Sequence, residues 1–250
     1  MNITTLTFTI TLLGGLSTIL GIIPCFFTQK KQNQTIAASL AFSSGVMLTI
    51  SLVSLIPEAT TLISKKFYLL PSFLLVAIFI VLGISISTII DTTIEKKISL
   101  SNIYKLGLIS AITIIIHNIP EGITTYASTI TNVHLGFKLA FAIALHNIPE
   151  GISIAIPIYY SSHSKTKAFL FTIIAGFSEF FGALLAHLFL KELLTPYILG
   201  LILSITAGIM IDISIYEFLP NSLQLKKNKA TVYYFVLGIL IMFLSEMFFF

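Results

Sequence analysis

The same six residues occur twice in this sequence. His-Asn-Ile-Pro-Glu-Gly fills positions 117–122 and again positions 146–151. In an α-helix the histidine and the glutamate of each copy are four residues apart and share a face, with the asparagine beside them. Imidazole, carboxylate and amide groups are ligands of Zn²⁺ and similar divalent ions. The repeat therefore predicts a metal site, and its candidate ligands are His117, Asn118, Glu121, His146, Asn147 and Glu150.

Both copies lie within long apolar stretches of an unusually apolar chain. The 250 residues are 56% hydrophobic and 10% charged, with a mean hydropathy of +1.01. This composition is typical of a polytopic membrane protein. A lone buried histidine is more often a hydrogen-bonded core residue than a ligand, but ionisable side chains inside a bilayer are costly and usually functional. The single cysteine, Cys25, excludes an internal disulfide and a zinc site made of thiolates.

Eight apolar stretches are long enough to cross a bilayer, at about 20 residues each. They are numbered here as spans 1 to 8 and cover residues 5–27, 36–58, 69–90, 105–130, 137–160, 168–190, 196–220 and 230–250. The connections between them are short and polar and leave no room for a soluble domain. We therefore expect an all-α polytopic membrane protein with eight transmembrane helices, in which residues 1–250 form a single transmembrane domain.

The lysines are distributed unequally between the two sides of the predicted bundle. Ten of them fall on the side of the loops that follow odd-numbered spans: Lys30, Lys31, Lys96, Lys97, Lys105, Lys165, Lys167, Lys226, Lys227 and Lys229. Four fall on the other side: Lys65, Lys66, Lys138 and Lys191. Because cytoplasmic loops carry the excess of lysine, the first side is predicted to be cytoplasmic and both termini to lie outside.

A second, weaker repeat links spans 2 and 7. Gly45-Val46-Met47 precedes Pro57 at the same distance as Gly208-Ile209-Met210 precedes Pro220. The two spans run in opposite directions, as do spans 4 and 5, so the pattern favours inverted-repeat pseudo-symmetry with a site near the bilayer midplane. The alternative is that glycine and proline are simply common in membrane helices.

The motifs together resemble those of the ZIP (Zrt/Irt-like) metal transporters. Besides the two hexapeptides, the resemblance rests on residues 44–48, 55–58, 175–179, 207–210 and 216–220, and it covers essentially the whole chain. It implies a ZIP-type fold and the uptake of divalent metal ions into the cytoplasm across a bacterial inner membrane. The implied cargo is principally Zn²⁺, with Fe²⁺ and Mn²⁺ in addition. The implied partners are the metal ions, the lipid bilayer and a possible homodimer, without nucleic acid or a catalytic cofactor.

The resemblance also implies a binuclear centre between spans 4 and 5. One metal ion would be held by His117, Glu121, His146 and Glu150. The second would be held by Asn118, Glu121, Asn147, Glu150 and Glu179, so that two glutamates bridge the ions. Met47 and Glu217 match positions near the family's transport route. The sequence departs from many relatives in one respect, because residues 91–104 contain no histidine and cannot form a histidine-rich loop.

Two other functions remain open at the level of sequence. A His-x-x-x-Glu pair can hold a catalytic zinc, which would make the chain an intramembrane zinc-dependent hydrolase. Such a site needs an open coordination position and a separate general base, and the symmetric repeat offers no division of these roles. A metal sensor or a structural channel subunit is the third possibility, although no output domain follows the spans.

Overall fold

The computed structural model describes residues 2–27, 32–97, 102–190, 192–226 and 229–249. These residues form helices and no strand, and eight of the helical segments are long and apolar enough to cross a membrane, as the sequence predicts. Some residues used in the predictions above lie outside the described residues, namely Lys30, Lys31, Lys191, Lys227 and Phe250.

Four of the eight spans are single α-helices and four change their helix type along the way. The single helices are spans 3 (Leu69–Lys97), 4 (Asn102–Thr131), 5 (Val133–Ser162) and 8 (Lys229–Phe249). Span 1 is an α-helix over Ile3–Leu16 and a 3₁₀-helix over Ser17–Phe26, and span 6 is an α-helix over Lys165–Leu185 followed by a π-helix over Ala186–Leu190. Span 2 comprises Gln32–Ile50, a π-helix over Ser51–Leu55 and Ile56–Ser64. Span 7 comprises Pro196–Asp212, a π-helix over Ile213–Phe218 and Leu219–Leu225.

Spans 2 and 7 each contain a π-helix at the same point of their weak sequence repeat. Each π-helix ends just before a proline, Pro57 in span 2 and Pro220 in span 7. Proline has no N–H to donate to the preceding turn, so a wider turn accommodates its ring without ending the helix. The sequence repeat therefore corresponds to a shared local structure.

Spans 2 and 7 also have equivalent neighbours. A Cβ atom at Gly45 would overlap the carbonyl oxygen of Phe235 in span 8, and one at Gly208 would overlap that of Ile80 in span 3. Span 2 therefore packs on span 8 as span 7 packs on span 3. Because alternate spans run in opposite directions, this equivalence is an inverted repeat that relates spans 1–3 to spans 6–8 and span 4 to span 5.

The same relation holds at the middle of the bundle. A Cβ atom at Gly122, which ends the first hexapeptide, would overlap the carbonyl oxygen of Glu179 in span 6. A Cβ atom at Gly151, which ends the second, would overlap the carbonyl oxygen of Thr18 in span 1. The glycine of each motif thus allows one flanking span to approach closely, and the internal two-fold makes Thr18 and Glu179 counterparts.

Side-chain hydrogen bonds fit this alignment of spans 1 and 6. Ser17 Oγ donates to the carbonyl of Gly14 at 2.6 Å, and Ser178 Oγ donates to the carbonyl of Ala175 at 2.5 Å. The alignment of spans 1 and 6 is less regular beyond these residues, because span 1 tightens into a 3₁₀-helix at Ser17 while span 6 stays α-helical.

Candidate metal centre

The two hexapeptides meet because their helices are adjacent in the chain. Span 4 ends at Thr131 and span 5 begins at Val133, so the helices are antiparallel neighbours. Each motif lies near the middle of its helix, which places the two copies opposite one another. Neither Pro120 nor Pro149 ends its helix.

The histidine of each copy faces the glutamate of the other copy. His117 Nε2 lies 3.1 Å from Glu150 Oε1. His146 Nε2 lies 3.3 Å from Glu121 Oε1 and 3.4 Å from Glu121 Oε2. All four residues are at most 3% exposed. The repeat thus produces two reciprocal His–Glu contacts in the interior, related by the internal two-fold.

The asparagines hold the flanking spans against spans 4 and 5. Asn118 Nδ2 donates to the carbonyl of Ala175 in span 6 at 3.0 Å. Asn147 Nδ2 donates to the carbonyl of Gly14 in span 1 at 3.2 Å, and it also donates to Glu179 Oε1. The structure therefore brings Glu179 to the hexapeptides, and all seven candidate ligands lie together.

Several oxygen atoms of this cluster lack a donor. In the described part of the chain, four of its buried oxygens have no hydrogen-bond partner: Asn118 Oδ1, Asn147 Oδ1, Glu150 Oε2 and Glu179 Oε2. Buried polar atoms are nearly always satisfied, because leaving one unpaired costs about 1–3 kcal/mol. Unpaired acceptors of this kind, next to the two His–Glu contacts, are the groups that a cation would be expected to satisfy.

The side chains are arranged as two pairs rather than as a closed coordination shell. Among the described residues, no three His, Cys, Asp or Glu side chains converge closely enough to hold an ion as they stand. The Nε2 atoms face carboxylate oxygens instead. Holding a metal ion at this place would therefore require these side chains to move.

Comparison with known proteins identifies the family. A family model described as "ZIP Zinc transporter" matches residues 93–246, which is more than half of the chain. The chain belongs to the ZIP family. Its members are transporters, so the chain is a ZIP transporter and not an enzyme, and the hydrolase alternative is wrong.

Several curated relatives match this ZIP chain over nearly its full length. The zinc transporter ZupT of Streptococcus mutans is 34% identical, and the match covers 97% of each chain. The zinc transporter ZupT of Chlorobaculum parvum is 35% identical with the same coverage. The zinc transporter ZupT of Clostridium perfringens is 31% identical, over all of this chain and 98% of its own length.

Of the two residues that the ZIP resemblance places near the route, Glu217 has the better-defined position. Ser110 Oγ donates to Glu217 Oε1 at 3.3 Å. Ser110 precedes His117 by two helical turns on the same span, which puts this contact about 10 Å along the helix axis from the histidine. Glu217 therefore lies beside span 4 on the predicted cytoplasmic side of the centre.

Glu217 also lines a cavity of about 850 Å³ between spans 3, 4 and 7. Asp91, Asp212 and Lys105 line the same cavity, and Thr88 Oγ1 donates to Asp212 Oδ1 at 3.1 Å. None of the seven candidate ligands lines it. The cavity therefore has several polar lining residues, is separate from the His–Glu pairs, and lies on the side that the lysines predict to be cytoplasmic.

Met47 is fully buried in span 2. One turn before it, Ser43 Oγ donates to the carbonyl of Pro149 at 2.6 Å. Span 2 is therefore joined to the second hexapeptide directly, and Met47 lies one turn farther along the same helix face.

Sequence reasoning missed the contribution of span 1. Gly14 and Gly15 lie against Glu179, and the carbonyl of Gly14 accepts from Asn147. A signal was present, because Gly-Gly-Leu-Ser-Thr at 14–18 parallels Ala-Gly-Phe-Ser-Glu at 175–179. The shared pattern is short, and it becomes meaningful only once both segments are known to flank the hexapeptides.

Proposed function

We propose that this chain carries divalent metal ions into the cytoplasm through a binuclear centre between spans 4 and 5. Zn²⁺ is the principal cargo, and Fe²⁺ and Mn²⁺ are further cargo. The observation that carries the proposal is the pair of reciprocal His–Glu contacts, buried together with four unpaired oxygens. The names of the relatives support zinc as the main ion.

The first ion takes the place of the two His–Glu contacts. It is bound by His117, Glu121, His146 and Glu150, each of which already faces a partner from the other helix. Two imidazoles and two carboxylates suit Zn²⁺ in tetrahedral coordination.

The second ion uses the oxygen-rich side of the cluster. Asn118 Oδ1, Asn147 Oδ1 and the carboxylates of Glu121, Glu150 and Glu179 are its ligands, with the first two glutamates shared between the ions. Oxygen ligands are less selective for Zn²⁺ than imidazole is, so Fe²⁺ and Mn²⁺ are accepted as well.

The charge of the centre favours release. Asparagine and neutral histidine contribute no negative charge, so Glu121, Glu150 and Glu179 set three negative charges against the four positive charges of two divalent ions. A transport site must bind well enough to load and weakly enough to empty. The shortfall of one charge keeps the second ion loosely held.

The route continues toward the cytoplasm along span 4. Glu217 and the cavity beside it receive the ion after it leaves the centre. Met47 lies one turn from Ser43 in the opposite, outward direction, so on span 2 it lines the route before the centre. This direction requires the orientation given by the lysines, with both termini outside a bacterial inner membrane.

Uptake of radioactive zinc by proteoliposomes tests the proposal. The purified full-length chain is expected to load liposomes with ⁶⁵Zn²⁺, and unlabelled Fe²⁺ and Mn²⁺ are expected to compete while Ca²⁺ does not. Liposomes containing the Glu121→Gln/Glu150→Gln variant serve as the control, because both carboxylates are lost with little change of size. Equal zinc uptake by the wild-type protein and this variant contradicts the proposed route.

A further inference from the structure

Thr18 is the counterpart of Glu179 under the internal two-fold. The carbonyl of Glu179 meets Gly122 at the end of the first hexapeptide, and the carbonyl of Thr18 meets Gly151 at the end of the second. The serines that precede them, Ser178 and Ser17, make the same hydrogen bond to a residue three positions earlier in the chain. The backbone at position 18 therefore contacts span 5 in the same way that the backbone at position 179 contacts span 4.

The side chains at these two positions do different things. Glu179 reaches the amide of Asn147, the asparagine of the second hexapeptide. The equivalent target of Thr18 is Asn118, but Thr18 Oγ1 turns back and donates to the carbonyl of Gly15 at 2.7 Å. Among the described residues, the amide nitrogen of Asn118 has the carbonyl of Ala175 as its one acceptor. The backbone contacts with Gly151 and Gly122 thus keep the two-fold, and the side chains at positions 18 and 179 break it.

The two-fold predicts room for a carboxylate at position 18. On the other side, Glu179 lies against Gly15 and Gly14: a Cβ atom at Gly15 would be 3.0 Å from Glu179 Cβ, whereas one at Gly14 would be an ordinary 3.5 Å from Glu179 Oε2. The counterparts of Gly15 and Gly14 are Gly176 and Ala175. Gly176, the counterpart of Gly15, is a glycine where the close approach requires one. Ala175, the counterpart of Gly14, carries a methyl group where one is tolerated.

We propose that Thr18 sets the affinity of the centre for its second ion, because it occupies the position of a fourth carboxylate and withholds that charge. This inference rests on the proposed metal centre. Three carboxylates then leave the second ion under-neutralised, and a glutamate at position 18 would supply the missing charge from the span 1 side. The residue at position 18 sets how tightly the second ion is held, and thereby how readily it leaves.

Moving the carboxylate from position 179 to its counterpart, position 18, tests the inference. Calorimetric titration of the purified full-length chain with ZnCl₂ at fixed pH reports each equivalent of bound Zn²⁺. Glu179→Thr is expected to weaken the second equivalent by at least about tenfold, the usual effect of losing a charged ligand. The double variant Thr18→Glu/Glu179→Thr is expected to recover most of that loss. The matched control is Thr18→Gln/Glu179→Thr, which fills the same space without a charge and is expected to recover nothing.

The outcomes separate this inference from the proposed function. If Glu179→Thr loses the second equivalent and the double variant stays equally weak while eluting as a monodisperse species, position 18 is not the counterpart that the structure indicates. If Glu179→Thr binds both equivalents as the wild type does, the proposed centre is wrong as well. The single variant Thr18→Glu gives an independent reading, since it is expected to bind the second Zn²⁺ more tightly and to transport it more slowly. Unchanged affinity in Thr18→Glu overturns the inference.

Discussion

The two halves of the candidate centre have equivalent backbone contacts and different charges. One half consists of the first hexapeptide with span 6, and the other consists of the second hexapeptide with span 1. Each half contributes a histidine, an asparagine, a glutamate and a close-packed glycine. Only the span 6 half adds a further carboxylate, that of Glu179, where span 1 has Thr18. In the proposed centre, symmetry therefore supplies the scaffold for two ions, and a single side chain makes the two sites unequal.

The comparison predicts that the two bridging glutamates are equally necessary. Glu121→Ala and Glu150→Ala should each abolish metal uptake, because each carboxylate is assigned to both ions. Zinc uptake by proteoliposomes measures this, with Glu58→Ala as a control on an exposed glutamate outside the centre. If one of the two variants transports like the wild type, the halves are not equivalent and the shared-ligand assignment fails.

The glycines test the shared scaffold rather than the ligands. Gly122→Ala and Gly151→Ala should destabilise the bundle to a similar degree, because each added methyl group meets a backbone carbonyl oxygen that cannot turn away. Overpacking of this kind costs about 1–3 kcal/mol or more. The thermal unfolding midpoint in detergent measures the loss. Gly14→Ala is the control, since its Cβ atom would sit 3.5 Å from its nearest neighbour and should leave the midpoint close to that of the wild type.

Histidine variants should affect Zn²⁺ and Mn²⁺ transport to different degrees. His117→Ala and His146→Ala should each weaken Zn²⁺ uptake more than Mn²⁺ uptake, because imidazole matters less to the harder ion. The two variants should behave alike, since the residues occupy equivalent positions. Competition between the two metals in the same proteoliposome preparation gives the ratio directly. An equal loss for both metals would count against placing the histidines on the zinc-preferring ion.

The asparagines should show the smallest and most unequal effects. Asn147 donates to Glu179 and to a carbonyl, whereas Asn118 donates to a carbonyl alone. Aspartate cannot donate, and at position 147 it would also place a second negative charge beside Glu179. Asn118→Asp should therefore bind the second Zn²⁺ a few-fold more tightly than Asn147→Asp does. The corresponding difference in binding free energy is about 1 kcal/mol or less. Calorimetry that finds Asn147→Asp the tighter binder would reverse the charge assignment.

Much of the fold follows from the sequence because hydrocarbon imposes strict rules. Backbone groups in a bilayer must be satisfied within a helix, so eight long apolar runs become eight helices. The four-residue spacing of histidine and glutamate also predicts that the two side chains lie on one face of span 4 and on one face of span 5. A motif repeated near the middle of two adjacent antiparallel helices is placed opposite its copy.

The remaining features depend on contacts between distant segments. The pairing of each histidine with the glutamate of the other helix, rather than with that of its own, is decided by how spans 4 and 5 pack. The close approach of span 1 to span 5 depends on the contact between Gly151 and Thr18, which no local sequence pattern predicts. Span 1 becomes a 3₁₀-helix over Ser17–Phe26, a segment that contains Pro24, which has no backbone N–H to donate. Sequence periodicity identifies faces, but it does not say which faces meet.

The location of bound zinc tests the central claim most directly. Crystals of the full-length chain grown with Zn²⁺ can be measured at the zinc absorption edge, where anomalous scattering marks the ion. Two peaks are expected between spans 4 and 5, one of them about 2.0–2.1 Å from the Nε2 atoms of His117 and His146, with the direct His–Glu contacts replaced by metal bonds. Zinc bound only elsewhere, with His117 still against Glu150 and His146 still against Glu121, would contradict the binuclear centre.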